Sequence, residues 1–188
     1  MATPAGPSAL TAASPSPGFA TASRLRAMSR THRIVIGVMG ADDAPRDVLA
    51  LAERAGKRIA HHRAVLLTGG RGGVMRAAAK GAATNGGMVI GVMPGRDAEE
   101  SPPNDHVHIA LFTGLGEGRN YVNACSCDAM VALPGSWGTL SEIAFGMKLG
   151  RPVVVVGDGG PTGVPSAATP EEAVDQAYRT VRGTPVPD

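Results

Sequence analysis

Aromatic residues are scarce in this chain: one Trp, two Tyr and three Phe make up 3% of its 188 residues. A core without large rings has to be built from Val, Ile, Leu, Ala and Met, which suit thin layers of helix against a parallel sheet. The same scarcity removes the stacking platforms that hold single-stranded nucleic acid. Charge points the same way. The 18 Lys and Arg stand against 16 Asp and Glu, for a net +2, and they are scattered rather than gathered into a basic stripe, so no nucleic-acid partner is expected. Long apolar runs are missing too. None approaches the roughly 18 residues of a membrane span, so a soluble protein with no membrane partner is expected. Cys125 and Cys127 are the only cysteines. Two apart in an expected helix, they point about 200° from each other and cannot easily bridge, which suits a reducing compartment.

Acid is absent from the start of the chain, where the first Asp or Glu is Asp42. The first 31 residues are rich in Ala, Ser, Pro and Thr, carry Arg24, Arg26 and Arg30, and offer nothing to build a core. Residues 1–31 are therefore expected to be a disordered extension ahead of one domain over 32–188. The composition also fits an acid-poor organelle transit peptide, which stays open beside a cytoplasmic location.

From Arg33 onward, short aliphatic runs alternate with helical stretches. Ile34 to Met39, Ala64 to Thr68, Met88 to Met93, Val107 to Leu111, Ala129 to Leu133 and Val153 to Val156 have the length of buried strands. Between Pro45 and His62, Val48, Ala52, Ala55 and Ile59 recur every three or four residues with charge on the rest of the circle, the pattern of an amphipathic helix. Further helices are expected over Gly73 to Asn85, Glu117 to Cys127, Gly138 to Leu149 and Pro170 to Arg182. The last is announced by Thr169-Pro170-Glu171-Glu172, an N-cap, a first-turn proline and a capping-box glutamate. Asp158 to Ala168 reads as a linker, and Thr184 to Asp188 as a loose end. Strand-helix alternation with right-handed crossovers gives an α/β, Rossmann-like, doubly wound parallel sheet with helices on both faces.

In such a sheet, ligands sit beyond the carboxyl ends of the strands. Two glycine-rich turns stand there. One is Thr68-Gly69-Gly70-Arg71-Gly72-Gly73; the other is Pro134-Gly135-Ser136-Trp137-Gly138-Thr139. Each leads into a helix whose free N–H groups attract an anion. A phosphorylated small molecule is the expected partner. Several alternatives fail on spacing. Met75 stands where a dinucleotide-binding G-x-G-x-x-G needs its third glycine, no Walker lysine follows either turn, and Pro134 replaces the first glycine of a G-x-S-x-G elbow.

The first glycine turn with Val74-Met75, the later Gly118-Arg119-Asn120, and the run from Pro134 to Glu142 resemble the Lonely Guy (LOG) superfamily, over about Arg33 to Gly157. That group includes phosphoribohydrolases, which split nucleoside 5'-monophosphates into base and ribose 5-phosphate, and molybdenum cofactor carrier proteins, which bind without hydrolysing. Its P-G-G-x-G-T-x-x-E pattern is matched here except for Ser136 at the third position. The resemblance implies Glu142 and Arg119 as catalytic residues, the glycine turns and Thr139 as phosphate and ribose contacts, no required cofactor, molybdenum cofactor as a candidate bound ligand, and at least a homodimer. Independently, Glu142 lies one helical turn after Gly138, so its carboxylate can reach back over the loop to orient water or stabilise a cationic sugar. Arg119 can hold an anion but cannot shuttle a proton at neutral pH. The Gly118-Arg119-Asn120 context, Arg71, and acids at Asp42 and Asp43 depart from the hydrolases toward the carriers. Both activities remain open at this point.

Lesser candidates have structural readings. Asp42 or Asp43 is expected to cap the helix at Pro45, with a ring amine as the alternative partner. His106 and His108 fall on one strand face without a third metal ligand. His61-His62 suits a helix C-terminus. Met75, Met88, Met93, Met130 and Met147 are expected in the core, and Trp137 either packs or stacks on a ligand ring.

Overall fold

The computed structural model describes residues 32–183. The expected N-terminal extension and the C-terminal loose end lie outside the described residues. Seven parallel strands form one sheet in the order β4-β3-β2-β1-β5-β6-β7. They are β1 (Val35–Met39), β2 (Val65–Thr68), β3 (Met88–Met93), β4 (Ile109–Phe112), β5 (Ala129–Ala132), β6 (Val153–Val156) and β7 (Ser166–Ala167). The helices are α1 (Arg46–His61), α2 (Gly73–Ala83), α3 (Arg119–Ser126), α4 (Trp137–Lys148) and α5 (Pro170–Arg182). The expected α/β doubly wound class is observed.

Strand alternation divides the core into two layers. Ile36 and Val38 of β1, with Ala129 and Val131 of β5, face α1, α2 and α5. Met39, Met130 and Ala132 face the other way, against Ala124 of α3 and Ile143 of α4. Because a strand buried on both faces shows no polar alternation, the all-buried runs of β2, β5 and β6 are what a central parallel sheet requires.

Helix α5 carries the full expected signature. Thr169 Oγ1 accepts from Glu172 N–H, Glu172 Oε2 accepts from Thr169 N–H, both at 3.2 Å, and Gly183 closes the helix in the left-handed conformation. It is tied to α1 by forked ion pairs, Arg54 to Glu171 and Arg58 to Asp175. His62 follows the last turn of α1, placing Nε2 2.6 Å from Asp175 and its ring against Tyr178.

Several expectations are corrected. The stretch 158–168 is not all linker: Ser166 and Ala167 form β7, pairing with Val155 and Val156, a strand too short for a hydrophobic pattern. The fourth strand starts at Ile109 rather than Val107, because Asn104 N–H binds Gly70 O and holds the preceding residues in a turn. His106 therefore shares no strand face with His108, whose Nδ1 accepts from Val89 N–H at 3.1 Å. Neither Asp42 nor Asp43 caps α1, whose N-cap position is Pro45 without a side-chain bond. Met88 and Met147 are exposed rather than core. Cys125 and Cys127 are free thiols, and burial pushes that of Cys127 well above its ordinary pKa.

Helices α1 and α2 approach through reciprocal glycines. A Cβ on Gly56 would collide with the Ala78 carbonyl, and one on Gly81 with the Glu53 carbonyl. On an exposed helix Gly→Ala gains about 1 kcal/mol. Here Gly56→Ala is expected to cost about 1–3 kcal/mol by forcing the helices apart. Urea unfolding measures this, and a gain in stability would show that the close approach is not required.

Candidate functional site

The strand order reverses between β1 and β5, the topological switch point where a doubly wound sheet opens a crevice. A cavity of about 190 Å³ lies there. The β1 turn supplies Gly40 to Asp42, the β2 turn Gly69 and Arg71, and α3 Arg119 and Asn120. The β5 turn and α4 supply Ser136, Gly138, Thr139 and Glu142.

Arg119 is only 6% exposed. Its Nη1 donates to Val92 O at 3.1 Å and its Nη2 lies 4.0 Å from Met75 Sδ, while its buried Nε has no partner among the described residues. No carboxylate within 4 Å pairs with it among the described residues. Burial lowers its pKa below the ordinary arginine value, yet a guanidinium remains charged. Gly69 makes room for it, since a Cβ there would collide with Nη1. Arg119 is also the first residue of α3, so the positive end of that helix adds to its charge.

Glu142 is 7% exposed and accepts from Asn123 Nδ2 at 2.7 Å. Burial raises its pKa from 4.5 to about 7, against the opposing pull of the Asn123 bond and of Arg119. The carboxyl is therefore divided between its two forms at neutral pH, the range in which a group both accepts and donates protons.

The two glycine turns differ in what they leave open. In the second, Leu140 N–H is bonded to Ser136 O. The amides of Trp137, Gly138 and Thr139 precede it at the start of α4 and find no acceptor among the described residues. Asn120 and Ser141 brace this turn. Ser141 Oγ donates to Gly138 O at 2.7 Å and accepts from Asn120 Nδ2 at 3.1 Å. In the first turn, Asp42 already fills the anion position: Oδ1 accepts from Gly72 N–H at 2.9 Å and Oδ2 from Arg71 Nη2 at 3.1 Å. Val74 N–H is taken by Ala41 O.

The expected residues thus separate. Glu142, Arg119, Gly69, Arg71, Ser136, Gly138 and Thr139 meet at the cavity. Gly70 and Gly73 take positive φ and shape the first turn, and Gly72 binds Asp42. Gly135 lies under Thr139 and Ala41, Pro134 is exposed, and Trp137 is 85% exposed and outside the lining. Trp137 is not packed because it heads α4 with its ring outward.

A model of the SLOG cluster4 family matches residues 33–182. The chain belongs to the SLOG cluster4 family. An uncharacterized protein of Archaeoglobus fulgidus is 38% identical over 146 residues, 74% of this chain and 91% of its own length. The molybdenum cofactor binding protein of Rippkaea orientalis has a similar structure, with a TM-score of 0.75 and 34% identity over 80% of this chain and 99% of its own. The molybdenum cofactor carrier protein of Chlamydomonas reinhardtii gives a TM-score of 0.73 and 37% identity over 81% of this chain and 100% of its own.

In this SLOG cluster4 chain, Asn123 and Asn104 escaped the sequence reading. Asn123 had the signal of a polar residue one turn beyond Arg119 on a short helix. Asn104 donates from its side chain to both Gly70 O and Arg71 O, and only the proline-rich loop around it marked the position.

Because its pKa is raised on folding, Glu142 contributes most to stability below pH 4.5, and that contribution is lost as pH rises through about 7. Glu142→Gln, which can keep the Asn123 bond, is expected to be more stable than the parent at pH 8, by about 1–3 kcal/mol, with little difference at pH 4.5. Urea unfolding at the two pH values checks this, and an equal offset at both would remove the buried carboxyl as its cause.

Proposed function

We propose that this SLOG cluster4 protein binds the phosphate of a nucleotide-like or pterin small molecule and passes the molecule on intact, as a carrier. The observation that carries this reading is Arg119, a buried cation with no carboxylate partner among the described residues, in the wall of a cavity that Gly138 and Thr139, with their open amides at the start of α4, also line. A bound anion completes both sets of donors at once. The similarity to molybdenum cofactor binding proteins favours a pterin phosphate such as molybdenum cofactor as cargo. A homodimer accompanies this reading. Tyr121, Leu140 and Met147 on the outer side of α3 and α4 are exposed and apolar, a surface suited to a second copy.

One observation favours a second reading, the phosphoribohydrolase. Glu142 lines the same cavity as Arg119. Ionised, it stabilises positive charge on a ribose while the C1'–N bond breaks, and it takes a proton from the attacking water. The departing base must gain its proton elsewhere, since Arg119 cannot give one at neutral pH.

Incubation with AMP and isopentenyladenosine monophosphate, followed by chromatography of free base, separates the two. The carrier reading expects no base release, with anion binding weakened about tenfold or more in Arg119→Ala. Release of base that disappears in Glu142→Gln would replace the carrier with the hydrolase. Unchanged phosphate binding in Arg119→Ala would overturn both.

A further inference from the structure

The cavity beneath Arg119 is too small for the ligand proposed above: about 190 Å³, against the roughly 300–1,000 Å³ of sites that enclose whole small molecules. A phosphate with part of a sugar fits; a ring system attached to it does not. A second, wider groove of about 820 Å³ adjoins it. The two share Asp42 and Arg71 in their walls, so the ion pair between these residues stands as the partition.

This partition is cheap to open. Both side chains are nearly half exposed, at 48% and 45%, and exposed pairs hold together weakly. The groove behind it is built rather than incidental. Asn104 fixes the carbonyls of Gly70 and Arg71 with three hydrogen bonds, one from its backbone and two from its side chain. Pro94, Pro102 and Pro103 give the groove rigid apolar surface, and Asp42 and Asp105 give it carboxylates, Asp105 held at 2.7 Å by Arg76 of the same wall with its other oxygen left for a ligand. Rigid apolar surface with acceptors around it suits a flat heterocycle carrying N–H donors.

We infer that the ligand spans both compartments, with its phosphate in the inner cavity, its amino-bearing heterocycle in the outer groove, and Asp42 exchanging Arg71 for the ring's N–H donors. This rests on the phosphate-binding reading above. Arg71, once released, turns its charge to the anion, so ring recognition and phosphate capture are coupled through one pair. Inorganic phosphate engages the inner cavity alone and meets Asp42 only as a repelling charge.

Calorimetry on the full chain with inorganic phosphate and with AMP tests this in the parent, Asp42→Asn and Asp105→Ala. The parent is expected to bind AMP about tenfold or more tightly than phosphate. Asp42→Asn is expected to tighten phosphate and weaken AMP, cutting that preference about tenfold. Asp105→Ala, in the outer groove only, is expected to weaken AMP while leaving phosphate unchanged. A fall in the preference in either variant supports the spanning ligand. A preference unchanged in both variants, or absent from the parent, overturns it while phosphate binding stands. If neither probe binds the parent, the phosphate-binding reading falls and the two-compartment site with it.

Discussion

A guanidinium leaves water only at a cost, and Arg119 has left it almost completely without a carboxylate among the described residues to receive it. Removing a charge from water costs several kcal/mol unless pairing and hydrogen bonds compensate. The backbone carbonyl of Val92 and the sulfur of Met75 compensate in part. Gly69 exists as a glycine to let the guanidinium pass, and α3 begins at Arg119 itself. The same charge pulls against the burial that raises the Glu142 carboxyl, while Gly72 N–H and Arg71 turn Asp42 toward the first glycine turn rather than toward α1. An anion, as proposed, would relieve the cost of burying that charge.

The fold's contribution is to bring three separate turns and one helix start to one place. The reversal of strand order between β1 and β5 leaves a crevice, and the turns after β1, β2 and β5 line it together with the start of α3. Two of these turns looked equivalent in sequence, each a run of glycines before a helix. Their difference arises from a third. Asp42, in the turn after β1, satisfies the first glycine turn internally, while Asn120 and Ser141 hold the second with its amides uncovered. Asp42 thereby occupies the place that an anion would take at the first turn.

The architecture was legible because parallel strands and amphipathic helices leave periodic traces. The runs Met88 to Met93 and Val153 to Val156 and the helix Pro170 to Arg182 have the same bounds in the structure. The capping box at Thr169 works because its bonds are local, spanning three residues. What sequence could not supply depends on contacts across the chain. Asn104 meets Gly70 from 34 residues away and moves the start of β4. Ser166 and Ala167 join the sheet only because β6 offers an open edge. Met88 and Met147 occupy correctly read elements but fall on their outer faces. Within the site, Arg119 and Glu142 were marked by their family-like motifs. Asn123, which holds Glu142, had no motif to announce it, and Trp137 sat inside one without turning toward the cavity.

Arg119 is expected to hold an anion in the folded protein. The most direct test is the thermal midpoint of the full chain in phosphate and in chloride at equal ionic strength, for the parent and for Arg119→Met. Binding to the folded state alone raises the midpoint by linkage. The midpoint is expected to climb with phosphate concentration in the parent and to stay level in Arg119→Met. A parent midpoint that is the same in phosphate and chloride would contradict it.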